Sequence, residues 1–187
     1  MIAIIDYKCG NIASVTNSLE RLKAKYLVTA DPTKILAADR VIFPGVGSAG
    51  YAMEQVCELP IAQIRQPFLG ICLGMQLLTE YSEEDDTNCL GIIPGKVQKF
   101  PADLPIPQIG WNQVSAQQSP LFKEIPDNSY FYFVNSYYYN GPATIATSRY
   151  GLEFAAAIQQ DNFYATQFHP EKSGAIGQKL LSNFLEL

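Results

Sequence analysis

Residues 67–76, Pro67-Phe68-Leu69-Gly70-Ile71-Cys72-Leu73-Gly74-Met75-Gln76, constrain this chain more than any other stretch. An apolar, strand-like run breaks at a Gly-Ile-Cys-Leu-Gly turn and continues as a helix. A residue at such a strand-to-helix corner is forced into a tight, strained turn, with its side chain raised at the end of a sheet. Gly70 and Gly74 lack a Cβ, so the helix can start close to the strand and leave room beside the sulfur. The helix also aims its unpaired N–H groups at Cys72, which favours the nucleophilic thiolate. A plain buried cysteine packs as a small hydrophobe. That is the reading for Cys9, Cys57 and Cys89, which lack such a corner, whereas the corner marks Cys72 as a candidate nucleophile.

Around this corner the first half of the chain alternates short β-rich runs with amphipathic stretches. Strands are expected at 2–6, 26–29, 40–43 and 68–71, with helices at 11–25, at 49–59 and after Cys72. The βαβ rhythm implies parallel strands with helices on both faces. After the acidic run Glu83-Glu84-Asp85-Asp86 the rhythm changes. Segments 96–100, 113–115, 130–134, 144–150, 153–159 and 163–168 read as strands between Pro, Gly and Asn turns, mostly antiparallel additions to the same sheet. A last helix over 174–187 carries Ile176, Leu180, Leu181 and Phe184 at helical spacing. The fold class is therefore α/β: a three-layer, flavodoxin-like open sheet with parallel core strands and antiparallel C-terminal additions. A length of 187 residues suits one domain spanning 1–187.

Composition narrows the function. No apolar run approaches the roughly 18 residues a membrane helix needs, and the amino terminus reads as a buried strand rather than a signal peptide. A cytoplasmic location is expected. The four cysteines form no C-x-x-C pair and there is one histidine, so neither a disulfide scaffold nor a metal site is expected. A net charge of −5 opposes nucleic-acid binding. The acidic run itself reads as a solvated loop.

A nucleophilic cysteine needs a base to manage its proton and a group to orient that base. His169 is the sole imidazole, in Gln167-Phe168-His169-Pro170-Glu171-Lys172-Ser173. In extended chain, residues i and i+2 point the same way, so Glu171 can meet His169, and Pro170 limits their mobility. Phe43-Pro44-Gly45-Val46-Gly47-Ser48 closes the third strand. In an open α/β sheet that strand end lies beside the Cys72 turn, on the edge where ligands bind. Backbone amides of Gly45 or Val46, with that of Leu73, can form an oxyanion hole.

These pieces resemble the class I, triad-type glutamine amidotransferase domain over essentially the whole chain, in residues 69–76 and 167–173. Within that superfamily, Pro44-Gly45-Val46-Gly47, Asp6-Tyr7 with Gly10-Asn11, Gly110-Trp111-Asn112 and Ser136-Tyr137-Tyr138 resemble the glutaminase subunits of imidazole glycerol phosphate synthase. The resemblance implies glutamine as substrate, no cofactor, and a Cys72 thioester made and hydrolysed with the help of His169 and Glu171. It implies that Gln76 and the Ser136-Tyr137 backbone hold the glutamine head group. It further implies, as heterodimer partner, a separate (β/α)8-barrel cyclase that takes the ammonia in histidine biosynthesis, with Asn11, Trp111, Tyr138 and Lys172 as interface candidates.

Two positions depart from the family pattern. Asn135 stands where a histidine usually precedes Ser-Tyr, and an amide cannot titrate near neutrality; Lys8-Cys9 replaces a more usual Gly-x pair. The aromatic run over 130–139 has an alternating half that fits a sheet core, and the rest fits a partner surface. Other readings stay open on sequence: a duplicated homologue or anthranilate-type glutaminase feeding another synthase, a catalytically silent synthase-binding module, or a cysteine peptidase on a similar sheet. One hypothesis attaches to the glycine loop, that the Gly45–Val46 peptide flips to complete the oxyanion hole only when the synthase is loaded.

Overall fold

The computed structural model describes residues 1–8 and 10–187; the reading of Cys9 lies outside the described residues. The first half runs β1 (Ile2–Ile5), α1 (Ile12–Arg21), β2 (Tyr26–Thr29), α2 (Pro32–Leu36), β3 (Arg40–Gly45), α3 (Ala49–Val56), β4 (Phe68–Cys72) and α4 (Leu73–Gln76). The second half runs β5 (Tyr81–Ser82), β6 (Thr87–Asn88), β7 (Lys96–Lys99), β8 (Gln108–Ala116), β9 (Ser129–Asn135) and β10 (Tyr137–Tyr139). It ends with β11 (Thr144–Tyr150), β12 (Leu152–Gln160), β13 (Phe163–Thr166) and α5 (Gly174–Glu186).

Among the described residues the main sheet has the order β2-β1-β3-β4-β13-β12-β11-β8-β9. From β2 to β13 the strands are parallel, in a flavodoxin-like succession; from β12 outward they are antiparallel. The expected architecture is therefore present. The period-2 alternation of the central strands sorts their residues into two cores. Ala3, Ile5, Val41, Phe43, Phe68 and Ala165 pack on one face with α2 and α3. Ile2, Ile4, Ile42, Leu69, Ile71 and Tyr164 pack on the other with α1 and α5.

Several local expectations change. The first helix stops at Arg21, not 25, because Lys23 turns to φ 55° and the N–H of Ala24 bonds back to the carbonyl of Leu19. Helix α2 lies outside the expected elements, although Asp31 accepts from the N–H of Thr33 and Pro32 occupies the first helical position, a legible start signal. Not all later strands join the main sheet. Strands β7 and β10 belong to a separate small sheet of order β10-β7-β5-β6, into which the pairs Tyr81-Ser82 and Thr87-Asn88 are too short to announce themselves. The aromatic run divides as its alternation implies: Phe131 and Phe133 are buried, and Tyr130 faces solvent. Phe131 also stacks on Phe168 at 4.1 Å between ring centroids. Phe168, fully buried beside Phe122 and Phe133, thus anchors the segment that carries His169.

Candidate active site

Strand β4 ends in a residue with φ 55° and ψ −109°, Cys72, and the chain turns there directly into α4. A left-handed conformation in a non-glycine residue costs of order 1–3 kcal/mol and persists only where its surroundings enforce it. The enforcement is close packing of β3 against the turn. Gly45 pairs with Cys72 in register, and a Cβ on Gly74 would lie 2.0 Å from the carbonyl oxygen of Phe43. Only glycine fits at 74. Helix α4, however, is a single turn of four residues. The macrodipole expected from sequence is correspondingly small.

Those side chains come from the far half of the chain. Because β13 lies beside β4, the segment leaving β13 passes next to the corner. His169 itself is extended, but Pro170–Lys172 form a 3-10 turn, so the expected meeting of residues i and i+2 is made through that turn rather than through extended chain, with Nδ1 of His169 2.8 Å from Oε1 of Glu171. Both side chains are almost fully buried, at 3% and 1% exposure. The loop is fastened on both sides: the N–H of His169 donates to the carbonyl of Tyr132, and Ser173 Oγ donates to the carbonyl of His169.

Burial is the largest single influence on the His169 ring and disfavours its charged form. The electrostatic influence of the nearby Cys72 sulfur, followed by the bond to and charge of Glu171, outweighs burial. Together they hold the imidazolium up to about 10. His169 thus shares the cavity wall with Cys72 and has Glu171 behind it, the order of groups that a cysteine nucleophile, its base and an orienting carboxylate require.

These groups open onto a cavity of about 300 Å³ lined by Val46, Gly47, Cys72, Leu73, Gln76 and Glu84 on one side. Val134, Asn135, Ser136, Tyr137, His169 and Lys172 complete its wall with Pro107. The triad candidates, the oxyanion candidates Val46 and Leu73 and the head-group candidates Gln76, Ser136 and Tyr137 are therefore brought together; Gly45 sits just behind them against Leu73 and Gly74. A second cavity of about 610 Å³ lies along residues 116–127 and contains none of the site residues expected from sequence.

Polar contacts define the wall further. Gln76 Nε2 donates to Oε1 of Gln167 at 2.9 Å and to the carbonyl of Tyr137 at 3.3 Å. Asn135 Nδ2 donates to the same carbonyl at 2.9 Å. Asn135, where the family pattern has histidine, is thus a buried brace of the strand carrying Ser136 and Tyr137.

The acidic run departs from expectation in part. Glu83, Asp85 and Asp86 are exposed, but Glu84 is half-buried, lines the cavity, and accepts from the N–H of Ala49 at 3.0 Å. Asp85 accepts from the N–H of Gly50 at 3.3 Å. Ser48 makes no side-chain cap of its own, so two carboxylates distant in sequence cap α3 next to the Gly45–Gly47 loop. Burial raises the Glu84 carboxyl above its ordinary range, against the lowering effect of the Ala49 bond. Nothing local in the sequence distinguishes Glu84 from its neighbours, so sequence reasoning misses it.

The interface candidates fare unequally. Trp111 is 55% exposed, edge-on to Tyr132 at 6.0 Å. With Ile109 and Tyr130, 65% and 55% exposed, it forms an apolar outer face of the β8–β9 pair. Lys172 is exposed at the cavity. Tyr138 is half-buried, stacked on Phe100 at 4.8 Å, and Asn11 caps α1 by accepting from the N–H of Ser14; both have work within their own chain. No helix among the described residues is long and apolar enough to cross a membrane.

Comparison with known proteins agrees with this geometry. The family model "Glutamine amidotransferase class-I" matches residues 3–187. The imidazole glycerol phosphate synthase subunit HisH of Methanocaldococcus jannaschii is 48% identical over 196 residues, covering 100% of both chains. That of Pasteurella multocida is 47% identical over 192 residues, covering 99% of this chain and 97% of its own. The solved structure of PurLQS from Thermotoga maritima contains a chain of the same fold, with a TM-score of 0.76 at 15% identity over 99% of this chain and 97% of that one. The chain belongs to the class I glutamine amidotransferases and, within them, to the HisH glutaminase subunits of imidazole glycerol phosphate synthase.

Proposed function

We propose that residues 1–187 form one amidotransferase domain that hydrolyses glutamine to glutamate and ammonia through Cys72, His169 and Glu171. The observation that carries the reading is the buried His169–Glu171 contact of 2.8 Å on the wall of the cavity that exposes the strained Cys72 corner. The Cys72 thiolate attacks the side-chain amide carbon. The C–N bond breaks as the imidazolium of His169 gives its proton to the departing ammonia, leaving a thioester on sulfur. His169, now neutral, takes a proton from water. The hydroxide attacks the thioester, glutamate departs and the thiolate is restored. Glu171 orients the ring and balances its charge. Backbone amides of Gly45 or Val46 with that of Leu73 stabilise the tetrahedral oxyanion at each step.

An amino-acid substrate brings an α-ammonium and an α-carboxylate. Glu84, the half-buried carboxylate in the cavity wall, is placed to pair with the ammonium, and the Gln76 and Ser136-Tyr137 wall with the rest of the head group. Ammonia released to water is protonated and loses its nucleophilicity, which favours direct transfer to a docked acceptor enzyme. The relatives are named as subunits of imidazole glycerol phosphate synthase, which supports another subunit of that synthase as the acceptor. A (β/α)8-barrel cyclase making imidazole glycerol phosphate in histidine biosynthesis is the proposed partner, and the cytoplasm the proposed location. The exposed Ile109, Trp111 and Tyr130 face suits such docking. Glutamine hydrolysis is measured with the isolated chain, with the cyclase, and with the cyclase and its substrate. Stimulation by the loaded cyclase and loss in Cys72→Ala are expected; full activity in Cys72→Ala, or no hydrolysis under any of the three conditions, refutes the proposal.

A further inference from the structure

Gln167 is fully buried two residues before His169, and none of the steps of hydrolysis gives it a task. Its side-chain amide lies between two site residues. Oε1 accepts from Gln76 Nε2 at 2.9 Å, and Nε2 reaches Cys72 Sγ at 3.7 Å. The orientation of both amides follows from one atom that can only accept, the carbonyl oxygen of Tyr137. That carbonyl takes a hydrogen from Gln76, so the NH2 of Gln76 faces Tyr137 and Gln167. Gln167 must then present its oxygen to Gln76, which leaves its own NH2 directed at the sulfur. A flipped Gln167 would set two NH2 groups against each other and turn an oxygen toward a thiolate.

We infer that Gln167 is a positioning residue for the nucleophile: it donates a hydrogen bond to the Cys72 thiolate and ties the sulfur, through Gln76, to the wall that carries Tyr137. The inference rests on Cys72 being the nucleophile. A donor beside sulfur favours the thiolate over the thiol, whose proton would go instead to the carbonyl of Val134, 3.6 Å away. With α4 only one turn long, such side-chain donors replace a helix dipole. Among the described residues the titratable groups around the sulfur's cavity are His169 with Glu171 behind it, and Glu84, Tyr137 and Lys172; none of these residues is itself changed by a substitution at 167.

Alkylation of Cys72 by iodoacetamide between pH 5 and 9, followed by site-resolved mass spectrometry, tests this on the full chain. Gln167→Met keeps length and bulk without the donor, and Gln167→Glu puts an oxygen where the N–H was. Removing one such bond is expected to slow Cys72 alkylation at neutral pH about fivefold. The midpoint of the pH profile moves up in Gln167→Met and further in Gln167→Glu, and in the cyclase complex kcat falls more than KM rises. A Cys72 that still reacts with an unchanged profile in both variants overturns the inference. A second measurement needs no variant: the Gln167 side-chain N–H signals of the native protein should shift over the pH range in which Cys72 becomes reactive, and no shift overturns the inference. Failure of Cys72 itself to react, with full hydrolysis in Cys72→Ala, overturns instead the nucleophile reading.

Discussion

Replacing Glu171 with glutamine isolates what the buried carboxylate does for the histidine. The wild-type contact is 2.8 Å between side chains that exclude nearly all water, and it helps to hold the imidazolium up to about 10. A hydrogen bond to a charged group contributes roughly 1.5–3 kcal/mol. At 1.36 kcal/mol per pH unit, that corresponds to roughly one to two units. Glutamine at 171 still accepts a neutral hydrogen bond from Nδ1, so a fall of about one unit is expected. The single histidine gives one imidazole signal, and its NMR titration reads the midpoint directly.

Stability follows the same sign. A ring whose midpoint is raised from 6.5 to about 10 contributes stability that is complete below pH 6.5 and is lost as pH rises through about 10. In Glu171→Gln that contribution is smaller, and the decline ends at lower pH, so the total loss of stability is smaller. Glutamine hydrolysis should fall at least about tenfold, the equivalent of 1.36 kcal/mol in the barrier. A midpoint within a few tenths of a unit of the parent's would refute the reasoning, because the carboxylate would then be a bystander to the ring.

Three further substitutions probe the corner, the head-group wall and the outer face. Cys72→Gly should be more stable than Cys72→Ala by about 1 kcal/mol, the reverse of the usual order, because only the alanine retains a Cβ at positive φ; denaturant midpoints of the two inactive variants decide. Glu84→Gln should raise KM for glutamine about tenfold or more and remove most of the preference for glutamine over its analogue lacking the α-amino group; an undiminished preference would place the ammonium elsewhere. Trp111→Ala should leave the fold intact and weaken binding to the cyclase by about 2 kcal/mol or more, as central aromatic anchors do, measured by titration calorimetry; unchanged affinity would move the docking face.

The uneven legibility of the site follows from the range of the interactions. Cys72, His169 and Glu171 can be found from sequence because their proposed tasks impose local patterns: glycines around a corner, and an i, i+2 pair across a proline. The proposed oxyanion loop is legible for the same reason, being glycine-rich at a strand end. Glu84 reads as one of four solvated acids, since its partner, the N–H of Ala49, lies 35 residues away. Gln167 stands inside the His-Pro-Glu segment without an evident role, because its role consists of two contacts, with Cys72 and Gln76, that are 95 and 91 residues distant. The helix dipole is smaller than the corner implies because local pattern shows where α4 begins and not that it ends after one turn.

The sequence by itself determined the parallel α/β core, the strained cysteine corner and the histidine–carboxylate pair. Alternation, glycine placement and short-range spacing act within a few residues, and their consequences do not depend on the rest of the chain. Only the tertiary structure decided which strands left the main sheet for a second one and that Asn135 braces the wall. It alone showed that two carboxylates cap α3 and that an amide points its N–H at the sulfur. Each of these depends on which distant acceptor or donor is buried beside which, and burial of a polar group is resolved only when its partner arrives from elsewhere in the fold.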